Sequence, residues 1–131
     1  MRITKYNIDR FINGSEINCS NMIITHIEFI PEGITHLYCY NNILTELPKL
    51  PESLISLNCD NNQLTKLPRL PDSLTDLYCI NNQLTKLPKL PHFLKRLYCD
   101  NNNIPYEITI DNIKEHNTLL KRKEILSKIC V

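Results

Sequence analysis

Several features are scarce in this 131-residue sequence, and each absence excludes a class of protein. No apolar run approaches the roughly 20 residues that a transmembrane helix needs, so we expect no membrane association. Residues 1–6 lack the apolar core of a signal peptide, so we expect no classical secretion. The chain has no Trp, no Ala, one Val and two Gly, with abundant Ile, Asn and Lys, a bias typical of an AT-rich genome.

Neither sign of charge is in excess. Fifteen Lys and Arg face fourteen Asp and Glu, for a net charge of +1. No global positive field would attract phosphate groups, so we expect no nucleic-acid partner. The length predicts a single domain over residues 1–131, too short for a catalytic domain beside a separate recognition domain.

Five of the six cysteines are spaced 20 residues apart, and the same frame surrounds each. The frame LxxLxCxxNxLTxLPxLP runs from Leu54 to Pro71 and recurs from Leu74 to Pro91. Counting Leu54 as position 1, five copies fill residues 14–103, of which the first is degenerate. A fixed period of this length indicates stacked structural repeats.

Each stretch of the frame predicts one piece of a coil. Apolar positions 4 and 6 alternate with polar neighbours, which is the period of a strand with one buried face. Leu64, Leu67 and Leu70 recur every three residues among prolines, which is the period of polyproline II and not of a helix. A single coil cannot bury its leucines alone, so the coils must stack into a solenoid with parallel strands on the concave side.

Position 9 carries Asn in four copies, at Asn42, Asn62, Asn82 and Asn102. A turn packed between two coils hides backbone N–H and C=O groups that no strand ladder satisfies. An amide side chain offers both a donor and an acceptor, so we interpret these four as a structural Asn column.

The frame, with Cys at position 6 in place of the usual aliphatic residue, resembles the leucine-rich repeat family. It is similar to the short, 20-residue class of bacterial effectors, whose LPxLP segment matches residues 67–71. The composition also resembles leucine-rich repeat proteins of mimivirus-type giant DNA viruses. The resemblance implies a curved solenoid with a protein-binding role. The ubiquitin-ligase domain that some effector relatives carry has no room in the residues after Ile104.

Residues outside the repeats predict two caps. Residues 1–13 hold apolar side chains out of register with the frame and predict an irregular or strand-like N-terminal cap. Residues 104–131 predict a C-terminal cap with a helix over about 112–129 that begins at Asp111 as N-cap. Its apolar residues, Ile113, Leu119, Leu120, Leu126 and Ile129, would seal the last coil.

The spaced cysteines Cys19, Cys39, Cys59, Cys79 and Cys99 could suggest a metal site or disulfides. A zinc ion needs four thiolates that converge at about 2.3 Å, whereas sulfurs on successive coils form a line about 4.8 Å apart. A disulfide bond requires two Cβ atoms slightly closer together than the spacing of neighbouring strands allows. We therefore interpret them as a column of small buried apolar residues, with no metal and no cofactor. Cys130, in the tail, could be more exposed.

Position 3 carries Glu16, His36 and Ser56 on successive coils, in an order that imitates a hydrolase triad. A triad also needs an oxyanion hole and a pocket, and an open concave sheet offers neither. We therefore expect no enzyme.

The concave face is the predicted functional surface, because four of the six Tyr lie on it and Tyr is enriched in interface hot spots. The predicted contacts occupy positions 5 and 7: Tyr38, Tyr40, Asn58, Asp60, Tyr78, Ile80, Tyr98 and Asp100. Asn at position 8 suits either a contact or turn chemistry. We predict a protein-binding module and a monomer; the alternative is an oligomeric scaffold.

The convex side carries columns of opposite charge, basic Lys49, Arg69 and Lys89 and acidic Glu32, Glu52 and Asp72. Side chains of opposite charge three residues apart lie on one face of a polyproline segment. We therefore predict that they neutralise each other, and the alternative is that the basic column binds nucleic acid. The basic run 121–123 on the predicted helix reads as a solvated face near the helix C-terminus, with a nuclear-localisation signal as the alternative.

Overall fold

The computed structural model describes residues 1–129. Its elements are β1 Arg2–Ile3, β2 Ile12–Asn13, β3 Glu16–Asn18, β4 His26–Ile27, β5 His36–Tyr38, β6 Ser56–Asn58, β7 Asp76–Tyr78, β8 Arg96–Tyr98 and α1 Ile113–Ile129, with short 3-10 turns at Ile8–Phe11 and Ile110–Asn112. The main sheet has the order β2-β3-β5-β6-β7-β8. Strands β3 and β5 to β8 pair in parallel with a register of one repeat, so that Leu37, Leu57 and Leu77 are direct neighbours. The predicted solenoid of about five turns with parallel strands is confirmed.

The core is a stack of leucines, isoleucines and cysteines from every coil. On the concave side, Leu57 of β6 and Cys59, which directly follows β6, are fully buried. On the convex side, Leu64, Leu67 and Leu70 point inward from a segment that contains neither helix nor strand. Because the two sides converge on one interior, each coil covers the apolar edge of the next.

The Asn column connects consecutive coils through their backbone. Asn62 Oδ1 accepts a hydrogen bond from the N–H of Leu44 at 3.0 Å. Asn62 Nδ2 donates to the carbonyl oxygens of Cys39 and Cys59 at 3.0 and 3.1 Å. Asn42, Asn82 and Asn102 make the same pattern of contacts one repeat away. Each amide therefore satisfies backbone groups of two coils at once.

The N-terminal residues cover the first coil with regular pairing. Strand β1 pairs in parallel with β4, and β2 forms an antiparallel hairpin with β3. Ile3 and Ile8 are buried against the core, whereas Tyr6 is 86% exposed. In the first coil, Met22 occupies position 9, where the other coils have Asn. The next residue, Ile23, has a φ of +54°, which is unusual for a β-branched side chain.

The C-terminal helix is present, but two details of the prediction were wrong. The N-cap is not Asp111: a 3-10 turn precedes the helix, and the Thr109 N–H donates to Asn112 Oδ1 at 2.9 Å. The apolar residues do not form a sealing face, because Ile113 is buried but Leu119 and Leu126 are 38% and 57% exposed. Ile129 side-chain packing and Cys130 lie outside what the structure describes.

Polar side chains attach this helix to the last convex segment instead. Asn117 Oδ1 accepts from the N–H of Leu90, and its Nδ2 donates to the Leu90 carbonyl, both at 2.8 Å. Buried His116 contacts the Pro88 carbonyl at 3.0 Å and the Tyr106 hydroxyl at 3.1 Å. This convex segment belongs to the fourth copy, and the fifth copy departs from the frame after Ile104, so polar groups of the helix satisfy the backbone that a further convex segment would otherwise meet. Across residues 1–129, no helix is long and apolar enough to cross a membrane.

We expect Asn62→Ala to lower the free energy of unfolding by about 1–3 kcal/mol, because it leaves the Leu44 N–H without its acceptor and removes one of the two amide donors from the carbonyls of Cys39 and Cys59. Urea denaturation measures the change. Gln63→Ala is the control, since Gln63 is the exposed neighbour. Equal effects of the two substitutions would contradict the role of the column.

Candidate functional site

The concave face is formed by side chains that point away from the core at positions 3, 5 and 7 of each coil. The alternation in strands such as β6, where Leu57 and Cys59 are buried, leaves the intervening side chains on the outer surface of the sheet. Because the strands are in register, the side chains at each position form a row that runs from coil to coil along the solenoid.

The position 5 row is the aromatic part of this face. Tyr78 and Tyr98 stack with ring centroids 5.2 Å apart and an interplanar angle of 16°. Tyr38 stacks more loosely on His36, at 6.2 Å. Asn58 separates Tyr38 from Tyr78, so the row has a short side chain between two aromatic ones. Tyr98 is 46% exposed, and Tyr38 and Tyr78 are half-buried.

The position 7 row lies beside it and contains Tyr40, Asp60, Ile80 and Asp100. The first three are half-buried and Asp100 is exposed. Asp60 Oδ1 accepts a hydrogen bond from the Ile80 N–H at 2.7 Å, so one of its oxygens is already used within the fold. Partial burial raises the pKa of Asp60, and the Ile80 hydrogen bond opposes that rise.

The face carries more negative than positive charge. Its carboxylates belong to Glu16, Asp60, Asp76 and Asp100, and its one guanidinium belongs to Arg96. Arg96 pairs with Asp76 at 3.3 Å. The pKa of Tyr38 is raised above its ordinary value, first by desolvation and then by charges that include the carboxylates of Glu16 and Asp76.

The position 3 row places Glu16, His36 and Ser56 next to one another, but not as a charge relay. The register aligns Glu16 with His36 and His36 with Ser56. However, His36 Nδ1 contacts the Thr35 hydroxyl at 2.8 Å, and no hydrogen bond within residues 1–129 joins His36 to Glu16 or to Ser56. Ser56 is also buried, which keeps its hydroxyl from a substrate.

Position 8 forms a ladder of asparagines along the rim of the face. All five residues, Asn21, Asn41, Asn61, Asn81 and Asn101, have φ between +55° and +59°. Asn tolerates this left-handed conformation better than most residues. From Asn41 onward, each amide nitrogen donates to the amide oxygen of the preceding coil at 2.6–2.8 Å. The sequence did not decide whether Asn at position 8 contacts a partner or forms a turn. The presence of Asn in every copy was the feature that indicated a turn.

The cysteine column lies behind the sheet, inside the core. Cys19, Cys39, Cys59 and Cys79 are buried, Cys99 is partly buried, and all five are free thiols. Burial raises the pKa of the Cys19 thiol to about 12 and those of Cys39 and Cys59 well above the ordinary value. Within the described part of the chain, no group of His, Cys, Asp or Glu could hold a metal ion.

The convex side and the helix carry the remaining predicted charges. Arg69 pairs with Glu52 of the preceding coil at 2.6 Å, with both side chains exposed. Lys49 and Lys89 are exposed, as is the basic run 121–123 on α1.

Comparison with known proteins shows which solved structures share this fold. No family model matches the chain, and no curated protein matches it. Among solved structures, it is similar to YopM from Yersinia enterocolitica WA-314, with 35% identity and a TM-score of 0.63. It is also similar to a Shigella effector LRR domain, with 26% identity and a TM-score of 0.56. The fold is that of a leucine-rich repeat solenoid.

The match extends over 66% of this chain and 19% of the YopM chain, and over 82% of this chain and 57% of the Shigella domain. This leucine-rich repeat chain thus spans only part of either neighbour.

We expect the leucine-rich repeat core to lose stability as the pH rises above about 9. The thiols that burial keeps protonated in the folded chain ionise in the unfolded chain near pH 8.5, so each such thiol favours unfolding by about 1.4 kcal/mol per pH unit. Below that pH both states hold the proton and the effect vanishes. Urea unfolding under reducing conditions at pH 8, 9 and 10 measures the slope. Cys59→Ala should show a shallower decline, and an unchanged decline would contradict the explanation.

Proposed function

We propose that this chain is a non-enzymatic protein-interaction module that binds a protein partner on its concave face. The observation that carries the proposal is the row of half-exposed tyrosines in register across three coils, with Tyr78 and Tyr98 stacked. Tyrosine gives a large amphipathic contact area at low entropic cost. The contacts are the eight residues predicted at positions 5 and 7.

The rigidity of the face supports this role. Every strand of the row is hydrogen-bonded to its neighbours, and the Asn column and the Asn ladder fix the turns on one side. A partner would therefore meet a preformed surface and lose little free energy to ordering it. The similarity to a Shigella effector LRR domain supports an interaction role in general terms.

The assignment as a non-enzyme rests on the position 3 row. His36 is engaged with Thr35, and Ser56 is buried. Neither side chain is arranged to activate a nucleophile.

We also propose the 20-residue effector-type class, a reducing compartment such as the cytoplasm, and a monomer. The one-repeat register of the strands supports the class, and the free buried thiols support the compartment. The composition alone supports a giant-virus source.

The triple variant Tyr38→Ala/Tyr78→Ala/Tyr98→Ala should lose partner capture, because it removes the aromatic contacts without touching the core. Affinity purification from the native cytoplasm, with identification of the bound protein by mass spectrometry, measures this loss. Tyr78→Ala alone should weaken capture with a stability cost of about 1 kcal/mol from the lost stack.

Tyr6→Ala is the matched control, since Tyr6 is exposed and lies off the concave face. Capture that is unchanged in the triple variant, or equally reduced by Tyr6→Ala, would contradict a concave interface.

An oligomeric scaffold is the second candidate, and the exposed apolar residues of α1 favour it. Leu119, Ile125 and Leu126 are between 38% and 57% exposed on this helix. We expect light scattering to give the monomer mass of 15.3 kDa. A dimer that Leu126→Lys converts to a monomer would favour the scaffold.

A further inference from the structure

We infer that the concave face selects a cationic polypeptide segment, whose arginine or lysine side chains lie between tyrosine rings and carboxylates. This inference rests on the proposed function and specifies the chemistry of the partner.

The first step is the unbalanced charge of the face. Of its four carboxylates, only that of Asp76 has a basic partner within residues 1–129, which is Arg96 at 3.3 Å. Glu16, Asp60 and Asp100 have none. The whole chain has a net charge of +1, so the negative charge is a property of this face and not of the chain. A cationic partner would gain from this charge over the length of the face.

The second step is the interruption in the tyrosine row. Tyr38 and Tyr78 are two coils apart, which at the usual strand spacing gives about 9–10 Å between them. The short Asn58 side chain lies between them, and its Oδ1 accepts the Asp60 N–H at 3.2 Å, which holds it down on the face. A guanidinium or ammonium group would fit in this gap against the ring faces, with the Asp60 carboxylate on the same coil.

The third step is that an anionic or an apolar partner would fit the face less well than a cationic one. An anionic segment finds one guanidinium on the face, and that guanidinium is already paired. An apolar helix finds one aliphatic side chain at positions 5 and 7, Ile80, among tyrosines and carboxylates. The stems of Arg and Lys can pack on Ile80 and the rings while their charged ends reach the carboxylates.

The test uses two fluorescein-labelled peptides of equal length and opposite charge, one of four Arg-Ser repeats and one of four Glu-Ser repeats. Fluorescence anisotropy with the full chain should show binding of the Arg-Ser peptide that weakens between 50 and 200 mM NaCl. The Glu-Ser peptide should not bind.

The variant Asp60→Asn/Asp100→Asn should weaken Arg-Ser binding about tenfold, roughly threefold for each lost charge. Asn keeps the oxygen that accepts the Ile80 N–H, so the fold is retained. Glu46→Gln/Asp72→Asn removes the same charge from exposed convex positions and should leave binding unchanged. Tyr78→Ala should weaken it about threefold.

Equal weakening by the two double variants, or Arg-Ser binding no stronger than Glu-Ser binding, would overturn the inference. If the triple tyrosine variant still abolishes partner capture in that case, the proposed concave interface stands and only its charge preference is wrong. If light scattering shows a dimer that the Arg-Ser peptide dissociates, the occupant is the basic helix of a second copy, and a foreign segment is excluded.

Discussion

The stacking of the coils depends on one repeated interaction, the amide of the Asn column against the backbone of two turns. Each turn follows a strand and lies between neighbouring coils, where water does not reach its N–H and C=O groups. Asn82 supplies an acceptor to Leu64 and donors to Cys59 and Cys79 from a single side chain. Leucine burial drives the coils together, but it is non-directional. The amides, together with the parallel strand ladder, fix the distance and the register between coils.

Most of what recurs in each copy could be predicted from the sequence. The parallel strands, the buried leucines of the convex segment and the solenoid follow from a side-chain pattern that has the same meaning five times. The Asn at position 8 was harder, because a surface Asn suits both a contact and a turn. Only the backbone, with φ near +55° at Asn41 and Asn61, shows that the conformation itself favours this residue.

The caps could not be predicted to the same depth, because they occur once and carry no periodic signal. Helical spacing of Leu119 and Leu126 indicated an apolar seal, yet both are exposed. The last convex segment presents the backbone groups of Pro88 and Leu90 as well as leucines, and polar His116 and Asn117 form hydrogen bonds with them. Asp111 was predicted as the N-cap because Asp is a common capping residue. The capping position depends instead on where the 3-10 turn begins. The contacts predicted on the concave face occupy one continuous surface, although Asp60 is partly engaged by the fold.

The two surfaces of the solenoid differ in how they treat charge. The convex side carries columns of both signs, and Arg69 pairs with Glu52 across coils. On the concave side carboxylates outnumber basic groups, and three carboxylates have no basic partner in the described residues. This contrast supports the proposal that a partner binds on the concave side.

The one-repeat register has a consequence for how such a chain can change in length. Each coil meets its neighbours through the same positions, so an in-frame duplication of one repeat inserts a unit whose two junctions are already complementary. Growth or shrinkage of this kind leaves both ends untouched and alters only the span of the recognition surface. A lineage can therefore adjust the reach of its binding face by recombination between near-identical gene segments, without waiting for point mutations to repair a damaged interior.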